Sequence, residues 1–310
     1  MENDYAALSK RIDNLKRENE LNKRILKSHG NLFENIFINY DLKAKGTLKL
    51  IQDLEVELVS FIDNICNKHD LEYWLDYGTL LGAERHGDFV PWDDDIDLGM
   101  MRSDFNKILP ILKEEVSKKG LDNLHINIFH QNNKNILISY IQCIYRHPIY
   151  KNAMATLDIF PNDYRKSSEM VPKNEGLKYR DKFHMDLLNG IPPENAIEKY
   201  FNDFDLTYDE TEFIFPGVEI YPLWNNRKEL KNFETKDIFP LKRVKFHEKY
   251  LNIPNNPEIF LKDYYGDYSH FPQIIRDHGL LKRVNLNEGS DRHLSIAIEE
   301  LSEVNKSFSL

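Results

Sequence analysis

The chain has 310 residues, 41% hydrophobic and 12% aromatic, with a formal net charge of −10. That apolar content can fill one large core or two smaller ones, and the acidic balance argues against broad electrostatic binding to nucleic acid. Cys66 and Cys143 stand outside any C-x-x-C or Cys/His pattern, which argues against structural zinc and reads as two reduced core residues of a cytosolic protein.

Residues 1–30 carry seven basic and five acidic side chains and no proline. Leu8, Ile12 and Leu15 have heptad spacing, Asn19 and Asn22 interrupt it, and Leu26 resumes it. The basic pairs Lys10/Arg11, Lys16/Arg17 and Lys23/Arg24 return roughly every two turns. A solvated helix, an oligomerising coiled coil and a helix lying on a membrane surface all fit this pattern. The start of the chain lacks the apolar segment of a signal peptide, and no run of about 18 apolar residues marks a membrane span.

Ile51, Leu54, Leu58, Phe61, Ile62 and Ile65 predict an amphipathic helix over 49–68. Alternation of Tyr73, Leu75 and Tyr77 reads as a strand, followed by a short helix that Gly87 closes. A loop with Pro91 leads into the apolar strand IDLGM. Phe105, Ile108, Leu109, Leu112 and Val116 mark a second amphipathic helix, stopped by Gly120. Strands follow at 124–129 and 136–146, joined by the turn-forming HQNNKN, and a third, ATLDIFP, ends at Pro161. Beyond it the chain reads as helical and loop-rich, with aromatic and proline clusters at IYPLW, DIFPLKRVKF and DYYGDYSHFP. SDRHLSIAIEELSEV reads as a capped terminal helix. The expected class is α+β (mixed α/β), a core sheet with flanking helices. We divide it as an N-terminal helical extension at 1–45, a core at 46–170 and a mostly helical C-terminal part at 171–310.

The chemistry concentrates in YGTLLGAERHGDFVPWDDDIDLGM, residues 77–100. Asp95 and Asp97 are i and i+2 on an extended chain and share a face, with side chains roughly 7 Å apart at the backbone. Such a pair can hold Mg²⁺, a hard ion that takes oxygen ligands and shares its shell with substrate phosphates, and so relieve the repulsion of adjacent carboxylates. Asp158, interrupting the apolar run TLDIFP, is the candidate third carboxylate, as ligand or as the base for an acceptor hydroxyl; a turn-capping aspartate is the plainer reading. Gly78 and Thr79 sit at a strand-to-helix turn, where free N–H groups and a hydroxyl suit a phosphate or simply cap the helix. Arg85 suits bidentate phosphate contact or solvent, and His86 a binding role or a C-cap. Trp92 either stacks on a base or cationic head group or plugs the core. Lys242, Arg243 and Lys245 form the densest basic cluster beyond the N-terminal helix, facing either a diphosphate or solvent.

Residues 77–100 closely resemble the signature of the LicD family of phosphotransferases, which includes the fukutin-related proteins. LDIFP at 157–161 resembles the family's second motif and LKDYYGDYSHFP at 261–272 its aromatic tail motif, so the resemblance spans roughly 50–275. It implies a nucleotidyltransferase-like fold and Mg²⁺-dependent transfer, with Mn²⁺ as an alternative ion. An alcohol phosphate (phosphocholine, glycerol phosphate or ribitol phosphate) would pass from a CDP-linked donor to a hydroxyl of a cell-surface glycan, with release of CMP. By the same resemblance the glycine-hydroxyl turn falls on Gly78 and Thr79, the metal aspartates on Asp95 and Asp97, and the third acidic position on Asp158. Asp93 and Asp94 belong to the motif as supporting or loop-shaping groups. The implied partners are a CDP-alcohol donor and a glycan acceptor, lipid-linked at the inner membrane face in one version, where the basic N-terminal helix would find a role. Two other functions compete with this one. One is transfer of an NMP unit with release of pyrophosphate, and the other is a non-catalytic binding or scaffold role.

Overall fold

A computed structural model describes residues 2–40, 42–133, 136–218, 229–230, 232–270, 279–285 and 288–308. The elements follow as α1 (Glu2–Asn39), α2 (Thr47–Lys68), β1 (Tyr73–Leu75), α3 (Tyr77–His86), β2 (Ile96–Met101) and α4 (Arg102–Lys119). Then come β3 (Leu124–Asn133), β4 (Ile136–Arg146), β5 (Ala153–Arg165), β6 (Val171–Pro172), α5 (Lys173–Leu188) and α6 (Pro193–Phe204). The remainder comprises β7 (Leu206–Thr207), β8 (Phe213–Pro216), β9 (Glu229–Leu230), β10 (Phe233–Glu234) and α7 (Thr235–Ile238). It ends with the hairpin β11 (Lys242–Phe246) and β12 (Lys249–Ile253), then α8 (Pro257–Tyr265), α9 (Leu280–Val284) and α10 (Ser290–Lys306). The class is mixed α/β, as the pattern predicts. Residues 1–43 with 267–276 form one compact unit, and 44–266 with 277–310 a second.

The second unit is built on a sheet of order β1-β2-β5-β4-β3. β2 and β5 run parallel and the other pairings are antiparallel. β5 is the hub, because its second half also pairs with β7 and β8. The strand therefore runs on past Pro161 to Arg165, where the motif alone predicts an end. Pro161 lacks an N–H, but its carbonyl accepts from Gly217 N at 2.9 Å, so the strand keeps a partner there. The apolar stripe of α2 is buried as its period requires, with Ile51, Leu54, Leu58, Phe61, Ile62 and Ile65 all inaccessible. α2 contacts β5 and also α10. Cys66 and Cys143 are free and buried.

Four expectations change. The first strand stops at Leu75, because Asp76 caps the next helix and Tyr77 already lies inside it at φ 43. The basic segment after Pro240 is not loop but one strand of a hairpin. The terminal helix begins after Gly289 without a side-chain cap, since the Ser290 hydroxyl donates instead to Val284 O at 2.7 Å. Of the expected HQNNKN turn, residues 130–133 instead continue strand β3, and the rest lies outside the described residues, as do the expected IYPLW cluster and part of the aromatic tail motif.

Candidate active site

The site is built from strand register. Asp97 pairs with Asp158 across the parallel β2–β5 ladder, between Ile96↔Leu157 and Leu98↔Ile159. Adjacent strands lie about 4.8 Å apart, and side chains alternate faces along each. The four flanking aliphatics are buried, so the two aspartates share the opposite, half-buried face. Asp95 is two residues ahead of Asp97 and also half-buried. The same alternation divides the acidic run. Asp94, in phase with Ile96, is buried and accepts the Leu280 and Leu281 amides at 2.8 and 3.1 Å, so it caps α9. Asp93 turns its carboxylate to the start of α3. A Cβ on Gly78 would lie 2.8 Å from Asp93 Oδ2, so this approach needs glycine.

Neighbouring strands orient Asp158. Gln142, its antiparallel partner on β4, donates from Nε2 to Asp158 Oδ1 at 2.9 Å. Tyr140 donates its hydroxyl to the same carboxylate. Burial, then the charges of Asp158, Asp97 and Asp95, push the Tyr140 phenol up, so it stays a donor. Thr79, buried, accepts from Asp97 N at 2.9 Å through Oγ1, which ties the helix start to the acidic strand. Asp76 N donates to Asp97 O at 3.0 Å, while its carboxylate caps α3 through Tyr77 N at 2.9 Å. Burial raises the Asp76 carboxyl to about 7, against the hydrogen bonds from Tyr77 and Tyr264.

Sequence reasoning passed over three groups. The first is the α8 terminus: Tyr264 stacks on Tyr77 with centroids 4.9 Å apart, and Tyr265 follows. Tyr265 is 43% exposed as a residue, and burial followed by the charges of Asp97, Asp93, Asp76 and Asp95 pushes its phenol up. The second is Glu55, fully buried on α2, with Oε1 3.5 Å from Thr156 N and Oε2 without a hydrogen bond. Burial, then Asp95 and Asp94, hold its carboxyl well above the ordinary range. A glutamate between Leu54 and Leu58, on the apolar stripe, was the available signal. The third is Asp76, an acidic residue two places before the predicted turn, the position of an N-cap.

The remaining predicted residues are distributed differently. Gly78 and Thr79 lie in the first turn of α3, whereas Arg85 and His86 lie in its last, about 10 Å further along the axis. Arg85 Nη2 and His86 Nε2 are 3.3 Å apart. Trp92 is half-buried in the loop before the aspartates. Lys242 donates to the Asn255 carbonyl. Arg243 is held bidentately by Asp63 of α2 at 2.8 and 2.9 Å. The structure thus brings Gly78, Thr79, Asp95, Asp97 and Asp158 together. It engages Lys242 and Arg243 within the hairpin and against α2.

An all-carboxylate donor set, half-exposed and steered by Gln142, Tyr140 and Thr79, fits a hard divalent cation better than a soft one. Among the described residues, no three acidic, imidazole or thiolate side chains already converge as a ligand cluster. No helix among them is long and apolar enough to cross a membrane.

Residues 70–191 match the LicD/FKTN/FKRP nucleotidyltransferase-domain family. An uncharacterized protein of Rickettsia typhi is 32% identical over 140 residues, 43% of this chain and 40% of that protein. The lipopolysaccharide cholinephosphotransferase LicD of Haemophilus influenzae is 23% identical over 259 residues, 74% of this chain and 93% of that one. The ribitol 5-phosphate transferase FKRP of Homo sapiens is 44% identical over 48 residues, 16% of this chain and 10% of its own.

Proposed function

Starting from a chain that carries a LicD-family domain at residues 70–191, we propose that it transfers an alcohol phosphate from a CDP-linked donor to a glycan hydroxyl and releases CMP. The observation that carries this reading is the lateral pairing of Asp97 with Asp158, with Asp95 on the same face. The similarity to a cholinephosphotransferase and to a ribitol 5-phosphate transferase supports the transferred group.

In this reading Asp95 and Asp97 would hold Mg²⁺. When bound, the ion would neutralise charge developing on the diphosphate. The Gly78 and Thr79 amides in the first turn of α3 would be offered to a phosphate oxygen, provided the Asp93 carboxylate moves aside from Gly78. Arg85 faces the donor from the far end of the same helix. Asp158 receives the acceptor hydroxyl's proton. Its hydrogen bonds from Gln142 and Tyr140 fix its direction toward the acceptor hydroxyl. The Tyr265 hydroxyl faces the same carboxylates and can donate to a phosphate oxygen.

The test pairs binding with product analysis. CDP-choline, CDP-glycerol and CDP-ribitol are screened for thermal stabilisation with and without Mg²⁺. A donor present at a hundred times its Kd adds about 2.7 kcal/mol to stability. The expected result is that one CDP-alcohol stabilises only with the ion, and that CMP is the nucleotide released on transfer. Release of pyrophosphate would replace this reading with NMP transfer. Indifference to all three donors with Mg²⁺ present would leave a binding or scaffold role.

A further inference from the structure

We propose that α1 is a self-association element that pairs with a second copy of this chain as a coiled coil. Its 38 residues form one uninterrupted helix, about 57 Å long. Seam residues Leu8, Ile12, Leu15, Asn19, Asn22 and Leu26 follow alternating steps of four and three, and the same spacing reaches Ile36. No position on that line is acidic or carries lysine or arginine, although the helix is rich in both charges. Along α1, Leu8 is 56% exposed, Ile12 45%, Leu15 55% and Leu26 69%.

The period chooses the occupant. A repeat of 3.5 residues over more than three heptads keeps a narrow seam on one side only if two helices supercoil around each other. The charges share that period. Lys10, Arg17 and Arg24 fall seven apart on the outer face, and Lys16 and Lys23 fall seven apart beside the seam. Glu18 lies on the seam's other flank, five residues before Lys23, the offset at which flanking charges of two parallel helices meet. Arg11 and Lys16 stand at the same offset and oppose pairing, so the flanks tune the association and the seam drives it. Asn19 and Asn22 are polar layers of the kind that fix register at a cost in stability. A lipid surface fits less well. It favours a wide apolar face with a basic rim, whereas this stripe is narrow, contains two asparagines, and is interleaved with Asp13, Glu18 and Glu20.

The full chain is tested by analytical ultracentrifugation at micromolar concentration, alone and after flotation with phosphatidylserine vesicles. The expected particle has twice the 36.8 kDa chain mass. Leu15→Glu combined with Leu26→Glu should halve it, while Lys10→Ala with Arg17→Ala on the outer face should leave it doubled. Thermal unfolding of the second unit is followed in each variant, and an unchanged midpoint assigns the mass change to α1. A monomeric wild type overturns the proposal, whether or not it floats with vesicles. So does a seam variant that stays dimeric.

Discussion

Two charged segments stand out in the sequence, the aspartates of 93–97 and the basic cluster of Lys242, Arg243 and Lys245, and the fold treats them differently. Three of the hairpin's cations are taken up by acidic side chains on or beside α2. Arg243 pairs with Asp63, Lys249 with Glu57 at 2.9 Å, and His247 with Asp53 at 3.3 Å and Asp88 at 3.1 Å. Its charge is an adhesive between a hairpin and a helix. The aspartates are arranged by backbone alternation, which buries Asp94 under α9 and keeps Asp95 and Asp97 half-exposed beside Asp158. Charge density alone therefore does not mark a site. What marks it is whether the backbone directs like charges to one accessible face, where an external cation or ligand would relieve their repulsion.

The largest expected effect follows from removing one of those like charges. Asp97→Asn should lower transfer by roughly a hundredfold or more, the scale of losing one charge-stabilising group at a reacting centre. Thermal stability should hold or rise slightly, because repulsion falls. CMP release by a variant with unchanged circular dichroism measures this, and wild-type turnover would remove Asp97 from the site. Asp94→Ala is the opposite case within the same run. It strips the Leu280 and Leu281 amides of their buried acceptor and should cost about 2 kcal/mol in urea unfolding. If Asp94→Ala spared stability but abolished transfer, the division of the run into cap and site would be wrong.

How much of the molecule is legible in its sequence depends on the range of the interaction. The helix over α2 follows from its apolar period, and α3 and α4 end where Gly87 and Gly120 adopt left-handed backbone. The pair Asp95 and Asp97 is visible because i and i+2 need only an extended chain. The pairing of Asp97 with Asp158 is not visible, since it depends on β5 entering between β2 and β4, a choice that no local pattern encodes. Strands as short as Leu206–Thr207 and Glu229–Leu230 lie below the length at which alternation can be read. The fate of Arg243 hinges on Asp63, far away in sequence, so a basic run could not declare itself structural. Glu55 was legible: a carboxylate inside an apolar stripe signals a special environment by its position on the helix alone.

A smaller effect distinguishes the hairpin by pH. Hydrogen bonds to Asp53 and then Asp88 raise His247 to about 9, against its burial and the nearby Lys49. A histidine bound more tightly as a cation in the folded state stabilises fully below its ordinary value near 6.5, and that contribution fades as pH rises to about 9. Allowing for partial solvent exposure, the loss should be about 2 kcal/mol. Asp76, raised to about 7, also makes stability fall with pH, but its window closes near 7. The part of the fall in unfolding midpoint between pH 7 and 9 that His247→Gln removes is the His247 contribution.

The smallest effect is the sharpest test of the comparison. Arg243 is partly exposed, so cutting its bidentate pair with Asp63 should cost only about 1 kcal/mol. Asp63 also accepts the Tyr73 hydroxyl at 2.7 Å, which stays in place when the arginine is lost. A double-mutant cycle of Arg243→Ala and Asp63→Asn should give a coupling energy of similar size, while KM for the CDP-alcohol stays within about twofold of wild type. The alternative result is equally readable. If Arg243→Ala raises KM tenfold with no coupling to Asp63, the guanidinium leaves α2 for the donor, and the hairpin joins the aspartates as part of the site.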